Sequence, residues 1–405
     1  MPQSSSSDPS GAALSRLLVL LWLGGVAARM PILAIPPVVP LIRDDLHLSE
    51  TAVGFLNGLP LGMFALAAVP GSLLVARLGV RRTMLYGLVL TAGASAARSA
   101  SIDALTLFAA SALTGFAVAV MQPALPALVR SWVPARVPLG TAVYTNGMVS
   151  GATAGPAFTI PFVLPWVGAS WRLDLVAWSA LIGLIAVLFA AFAPKVAEAP
   201  VSGIGAPNRW WPNWKDPLIW WLGIGFGSTN TVYFGANAFL PDYLVALGRT
   251  DLMAASLGWL NGAQLITSLS LLWLAGRVQR RLWPYLVFGS LSLAAFVAIV
   301  VLGGDWIVPA AAVLGVAAAV PFVLILALPP ALSAPGDVHR TAAGMFTISY
   351  AIAVIVPVIC GALWDLSGAA WTAFAPLALC AVAMMVLGVR LSRYRGAPAA
   401  AAPSA

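Results

Sequence analysis

Twelve apolar runs follow one another along this chain, each about as long as the ~20 residues that a bilayer-spanning helix needs. Nothing else in the sequence narrows the fold so much. Inside hydrocarbon every backbone N–H and C=O must find its partner within the protein, so only helices and closed barrels cross. The runs are continuous rather than alternating, which selects helices. They fall at residues 17–41, 51–76, 83–101, 104–128, 140–165, 172–193, 217–241, 252–275, 282–302, 306–331, 341–364 and 370–391. Charged residues make up only 8% of the 405, against roughly 25% in soluble domains. A water-facing surface cannot be built from so few charges, so soluble enzymes, disordered chains and secreted scaffolds are excluded.

The net charge of +8 does not mark a nucleic-acid binder. The basic residues stand in small groups between the runs, where they orient a membrane protein. With alternating loops, 16 of the 21 Lys and Arg fall on the side of the two termini, among them Arg16, Arg77, Arg81, Arg82, Arg209, Arg280 and Arg281. The other side holds Arg43, Arg98, Arg172 and Arg249, together with most acidic residues. The expectation is a multi-pass protein of the cell inner membrane with both termini cytoplasmic. Val26-Ala27-Ala28 resembles a signal cleavage site. Removing that run would leave eleven spans and break the symmetry described next, so it is read as a span.

A break in composition at 194–216 separates six runs from six. The segment ends Arg209-Trp210-Trp211-Pro212-Asn213-Trp214-Lys215, with Trp residues suited to headgroup level. The expected organisation is a tail at 1–16, a six-helix bundle at 17–193, a linker at 194–216, a second bundle at 217–391 and a tail at 392–405. The halves repeat: Gly54-Phe55-Leu56-Asn57-Gly58 corresponds to Gly258-Trp259-Leu260-Asn261-Gly262, Pro40 to Pro241, and Arg81-Arg82 to Arg280-Arg281. Three matches at nearly one offset argue for duplication. Parallel repeats place a substrate site between the halves near the middle of the membrane.

The loop after the second run reads Ser72-Leu73-Leu74-Val75-Ala76-Arg77-Leu78-Gly79-Val80-Arg81-Arg82. It resembles the major facilitator pattern G-x-L-a-D-r-x-G-r-r, with Ser72 at the first Gly and Ala76 at the Asp. The resemblance implies that Arg77, Gly79, Arg81 and Arg82 form a cytoplasmic gating loop. Gly151-Ala152-Thr153-Ala154-Gly155-Pro156 is similar to the G-x-x-x-G-P motif of exporters in that superfamily, although small residues four apart also pack helices. Arg29-Met30-Pro31, Leu59-Pro60, Phe239-Leu240-Pro241 and Gly361-Ala362-Leu363-Trp364-Asp365 look like the cyanate and 2-nitroimidazole transporter branch. The implied fold is an all-α membrane protein with twelve helices in two pseudo-symmetric six-helix bundles. The implied function is secondary transport of a small solute by alternating access, with spans one, two, four, seven, eight and eleven lining the site.

Arg29 is the sharpest feature. It lies twelve residues into the first run, about 18 Å along a helix at 1.5 Å per residue. That is close to the centre of a core ~30 Å thick. A charge there is costly and usually faces a water-filled cavity. Guanidinium keeps its charge and presents a planar fork of donors, which suits a carboxylate or other oxyanion. The structural alternative has Arg29 holding carbonyls freed by Pro31, Pro36 and Pro37. Asn230, Tyr233 and Asn237 share one helical face, and Asn261 and Gln264 make a similar one; each lines a cavity or joins helices. Asn57, Gln122 and Tyr350 complete the candidate substrate-binding set. Asn146 is expected to cap or gate. Arg98 either snorkels to the interface or guards the outer mouth.

Walker, zinc-protease and nucleophile-elbow motifs are lacking in the sequence, so no enzyme, cofactor or metal site is expected. The expected partners are a small, anionic solute and membrane lipid, with no nucleic acid, and the expected state is monomeric. Two other readings stay open. One is an exporter of hydrophobic or drug-like compounds. The other is a receptor or sensor that binds without translocating.

Overall fold

The computed structural model describes residues 11–48, 50–194, 210–278, 281–334 and 336–393. Residues 1–10 and 394–405 of the tails, most of the linker with Lys195 and Arg209, and Arg280 lie outside the described residues. The described part is helical. We number its spans α1 (Gly11–Ala27, resumed as short turns at Met30–Leu33 and Val39–Leu46), α2 (Glu50–Leu78), α3 (Val80–Ala97), α4 (Ala104–Met121, extended by Ala124–Trp132), α5 (Val137–Phe158) and α6 (Trp171–Phe192). The second set is α7 (Pro217–Ala246), α8 (Met253–Val278), α9 (Trp283–Val301), α10 (Ile307–Leu326, extended by Leu328–Leu332), α11 (Val338–Ser367) and α12 (Phe374–Arg393).

Eight stretches are long and apolar enough to cross a membrane by length and composition alone. α3, α5, α7 and α8 are the other four. Their hydropathy is diluted by what they carry: Arg81 and Arg82 on α3, Asn146 on α5, Asn230 and Asn237 on α7, Asn261 and Gln264 on α8. A helix buried among other helices can hold such residues; one surrounded by lipid cannot.

The halves repeat in their packing as well as their sequence. α1 lies on α5, α2 on α4, α3 on α4 and α6; correspondingly α7 lies on α11, α8 on α10, α9 on α10 and α12. Two symmetry-related contacts join the halves, α2 with α11 and α5 with α8. Call the side where α1 starts and α12 ends the terminal face. One large apolar core gathers buried residues of both halves, including Leu125, Leu128 and Val129 of α4 with Leu328 and Leu332 of α10. Two smaller cores lie towards the opposite face, and each belongs to one half: Val38, Ile42, Leu56, Leu107 and Trp171 in the first, Leu240, Ile307 and Phe374 in the second. A Cβ built on Gly58, Gly62, Gly258, Gly262 or Gly361 would meet no atom within 4 Å. The halves are therefore packed together at the terminal face and parted at the other.

Glycine lets α1 and α5 approach backbone to backbone. A Cβ on Gly151 would lie 2.5 Å from the Val26 carbonyl oxygen, and one on Gly155 would lie 2.7 Å from that of Leu33. The Gly151–Gly155 motif thus grips α1 on either side of Arg29. At the terminal face Gly79 turns the chain with φ of 80°. Arg81 then donates to the Ala193 and Ala190 carbonyls at 3.1 and 3.0 Å, capping the end of α6. At the opposite face Arg172 pairs with Asp45 and donates to the Ser101 carbonyl at 3.0 Å. The Arg172 hydrogen bond holds the exposed Asp45 carboxyl below its usual range.

Candidate substrate site

Pro31 has no N–H to give the carbonyl four residues back, and α1 breaks just before it. Ala28 and Arg29 form a turn, and Arg29 adopts φ of −128° and ψ of −38° ahead of the Met30–Leu33 turn. This break points the Arg29 side chain at the centre of the molecule. It is 7% exposed. Its Nη2 donates to the Tyr350 hydroxyl at 3.1 Å, and that hydroxyl donates to Gln122 Oε1 at 2.9 Å. Among the described residues its side chain takes no backbone carbonyl, contrary to the alternative considered from the prolines. Three rings surround the guanidinium: Phe64 at 5.7 Å, Phe234 at 5.9 Å and Tyr350 at 6.0 Å. Among the described residues no carboxylate forms an ion pair with it.

Arg29 opens onto a cavity shared by both halves. Asn230, Tyr233 and Gln264 add polar groups to its wall, and Leu33, Met148, Val149, Ala152, Thr229, Phe234, Ala318 and Phe322 supply the rest. Asn230 Nδ2 donates to Ser349 Oγ at 2.9 Å, which orients the amide. Tyr233 Oη donates to Asn261 Oδ1 at 2.5 Å, and Asn261 Nδ2 donates to Asn237 Oδ1 and the Leu257 carbonyl, each at 2.9 Å. Asn237 in turn donates to the Tyr233 carbonyl at 2.9 Å. The amide stripe of α7 therefore divides. Asn230 and Tyr233 face the cavity, while Asn237 and Asn261 tie α7 to α8 beside it.

The walls differ from the sequence expectation. α5 and α10 contribute lining residues, whereas α2, α4 and α11 stand behind Arg29. Met148, Val149, Ala152 and Ala318 carry no signal, because small and apolar residues read alike whether they face lipid or a cavity. Gln122 and Tyr350, 2% and 0% exposed, meet Arg29 from behind. The side chain of Asn57 lies outside the described residues. Asn146 joins helices towards the terminal face: it accepts from Trp22 Nε1 at 2.9 Å and donates to Ser268 Oγ of α8 at 3.4 Å. Arg98 neither snorkels nor guards a mouth. It is buried against α6, bonded to the Ser95 carbonyl at 3.3 Å and to the Ser95 hydroxyl, which also accepts from Ser179. Arg77 and Arg82 are exposed. Among the described residues no three His, Cys, Asp or Glu side chains gather as a metal site would require.

The Major Facilitator Superfamily family model matches residues 21–358, across both halves and the cavity between them. The chain belongs to the major facilitator superfamily. Its fold agrees with that of the superfamily transporter FucP in the outward conformation, with a TM-score of 0.73 over 94% of this chain and 98% of that one at 15% identity. Two similar proteins come from Escherichia coli (strain K12). The cyanate transport protein CynX is 26% identical over 399 residues, 94% of this chain and 98% of its own. The 2-nitroimidazole transporter is 25% identical over 254 residues, 62% of this chain and 63% of its own. As a superfamily member the chain is a multi-pass membrane transporter. The twelve-helix fold and the transporter class read from the sequence both hold.

Proposed function

We propose that this transporter carries a small anionic solute between the two sides of the membrane by alternating access, with Arg29 as the anion-binding group. One observation carries the reading: a buried guanidinium opens into the central cavity with a single side-chain hydrogen bond and, among the described residues, no carboxylate partner. An isolated cation in a low-dielectric site is strongly disfavoured, and an oxyanion supplies the missing charge and acceptors together. Asn230, Tyr233 and Gln264 are positioned to add neutral contacts. The similarity to the cyanate and 2-nitroimidazole transporters agrees with a compact solute. The largely apolar wall also suits a solute with an apolar body, which is the observation favouring the exporter of hydrophobic compounds as second reading.

The distribution of basic residues puts the terminal face in the cytoplasm, so this arrangement faces outward. The bundles at 17–193 and 217–391 then act as the moving units, joined by the 194–216 linker, in a monomer that needs lipid and no cofactor. Among the described residues neither carboxylate nor imidazole lines the cavity. Exchange of one anion for another, or facilitated passage, accounts for the charge on the return step without a titrating side chain. Purified protein in a thermal-shift panel of cyanate, nitrate, formate and benzoate, followed by counterflow in proteoliposomes, tests the reading. Stabilisation by at least one oxyanion, with uptake driven by internal counter-anion, is expected. No stabilisation and no counterflow would refute it.

A further inference from the structure

The Arg29–Tyr350–Gln122 chain crosses the boundary between the halves: Arg29 and Gln122 stand on α1 and α4, Tyr350 on α11. Its ring also meets Phe64 of α2 edge-on, with centroids 4.9 Å apart. One turn towards the terminal face Phe346 stacks on Tyr350, and Phe226 packs against both Phe346 and Phe322. Phe322 lines the cavity, so these rings form its floor. Tyr350 therefore fastens the floor, built by the second half, to the cation of the first half.

We propose that Tyr350 is a ligand-operated latch on the terminal-face gate: its hydroxyl occupies the acceptor place at Arg29 that a substrate anion takes over. The inference rests on Arg29 as the anion-binding group. A neutral phenol is the weaker acceptor, since an oxyanion adds an opposite charge and can take two guanidinium donors side by side. An anion arriving from the open side draws the guanidinium donors to itself. Tyr350 keeps its donation to Gln122, also of the first half, and loses its hold on Arg29, so one of the two hydrogen bonds it makes across the boundary is released. The bond that helps keep the terminal face closed in the empty protein is thus weakened by binding, and binding favours the rocking step. A ligand shifts a conformational equilibrium only through contacts that differ between the states, and this exchange of partners is such a difference.

The test is a single cysteine in place of Ala127, buried on the terminal half of α4, labelled from the terminal face in proteoliposomes. Nitrate is the probe anion. In the parent protein nitrate increases the labelling rate. Tyr350→Phe, which keeps the ring and removes the hydroxyl, raises labelling without nitrate by at least about tenfold, as expected for loss of the bond to the charged Arg29 together with the bond to Gln122. It also binds nitrate more tightly, because the competitor is gone. Arg29→Ala, which leaves the bond to Gln122 in place, raises basal labelling by a smaller factor and abolishes the nitrate response. Unchanged basal labelling in Tyr350→Phe, in protein whose thermal unfolding shows it folded, would overturn the latch; so would weaker nitrate binding, which would make Tyr350 a direct ligand. Nitrate binding without any effect on parent labelling would also overturn it, while leaving the anion reading intact. Failure of the anion reading shows differently, as nitrate affinity that Arg29→Ala does not change.

Discussion

Gly151→Ala should be among the most damaging one-carbon changes in the molecule. The added Cβ would sit 2.5 Å from the Val26 carbonyl oxygen and 2.9 Å from its Cα. Ordinary contact begins near 3.4 Å. The helices must therefore separate by about 0.9 Å, and neither side can yield by rotating a side chain, because the obstructing atoms are backbone. Overpacking of this kind costs about 1–3 kcal/mol. The control is Gly58→Ala, also within a helix, where a Cβ meets nothing within 4 Å. There the smaller entropy of the unfolded chain should stabilise by about 0.4–1 kcal/mol. The two variants should separate by at least ~1.4 kcal/mol. Thermal unfolding in one detergent, read side by side, measures it. Val26 lies three residues before Arg29, so nitrate affinity should also fall in Gly151→Ala and hold in Gly58→Ala. A Gly151→Ala protein as stable as its parent would refute the close-packing argument and return the motif to a specialised role in transport.

Three further outcomes follow from the same geometry. Gly58→Trp should fill the space between the parted helices, leaving nitrate binding within a few-fold of the parent but stopping counterflow; counterflow at the parent rate would show that the halves do not close there. Asn146→Ala removes one link between α5 and α8 and should cost about 0.5–1.5 kcal/mol of gate closure, read as faster labelling of a terminal-face cysteine. Arg81→Gln strips the cap from the α6 carbonyls and should lower thermal stability by about 1–3 kcal/mol with anion affinity unchanged; an equal loss of affinity would tie this loop to the site directly.

The helices were legible because hydrocarbon leaves the backbone no other choice, and Arg29 because one charge stands out in an apolar run. Asn230 and Tyr233 could be placed on one face by helical spacing, although nothing in that spacing separates them from Asn237, which bonds within the α7–α8 pair instead. Helix limits were less legible. The run expected at 140–165 ends its regular helix at Phe158 and passes into a wider turn at Thr159–Val163, and the first run breaks at Arg29. Partners of Arg29 could not be read at all. Tyr350 is 321 positions away along the chain, a contact created by the packing of α11 against the first half. The contribution of α5 and α10 to the cavity was hidden for the reason that their residues, Ala, Val, Met and Phe, are those of any lipid-facing helix.

The central claim is that Arg29 holds the anion, and titration calorimetry of nitrate with the parent, Arg29→Ala and Arg29→Lys proteins tests it most directly. Truncating one member of a buried charged pair costs about 2–5 kcal/mol. At 1.4 kcal/mol per factor of ten, Arg29→Ala should weaken nitrate by at least ~30-fold. Arg29→Lys should recover only part of the loss, because the charge returns without the planar fork. Nitrate affinity in folded Arg29→Ala within about twofold of the parent would contradict the account.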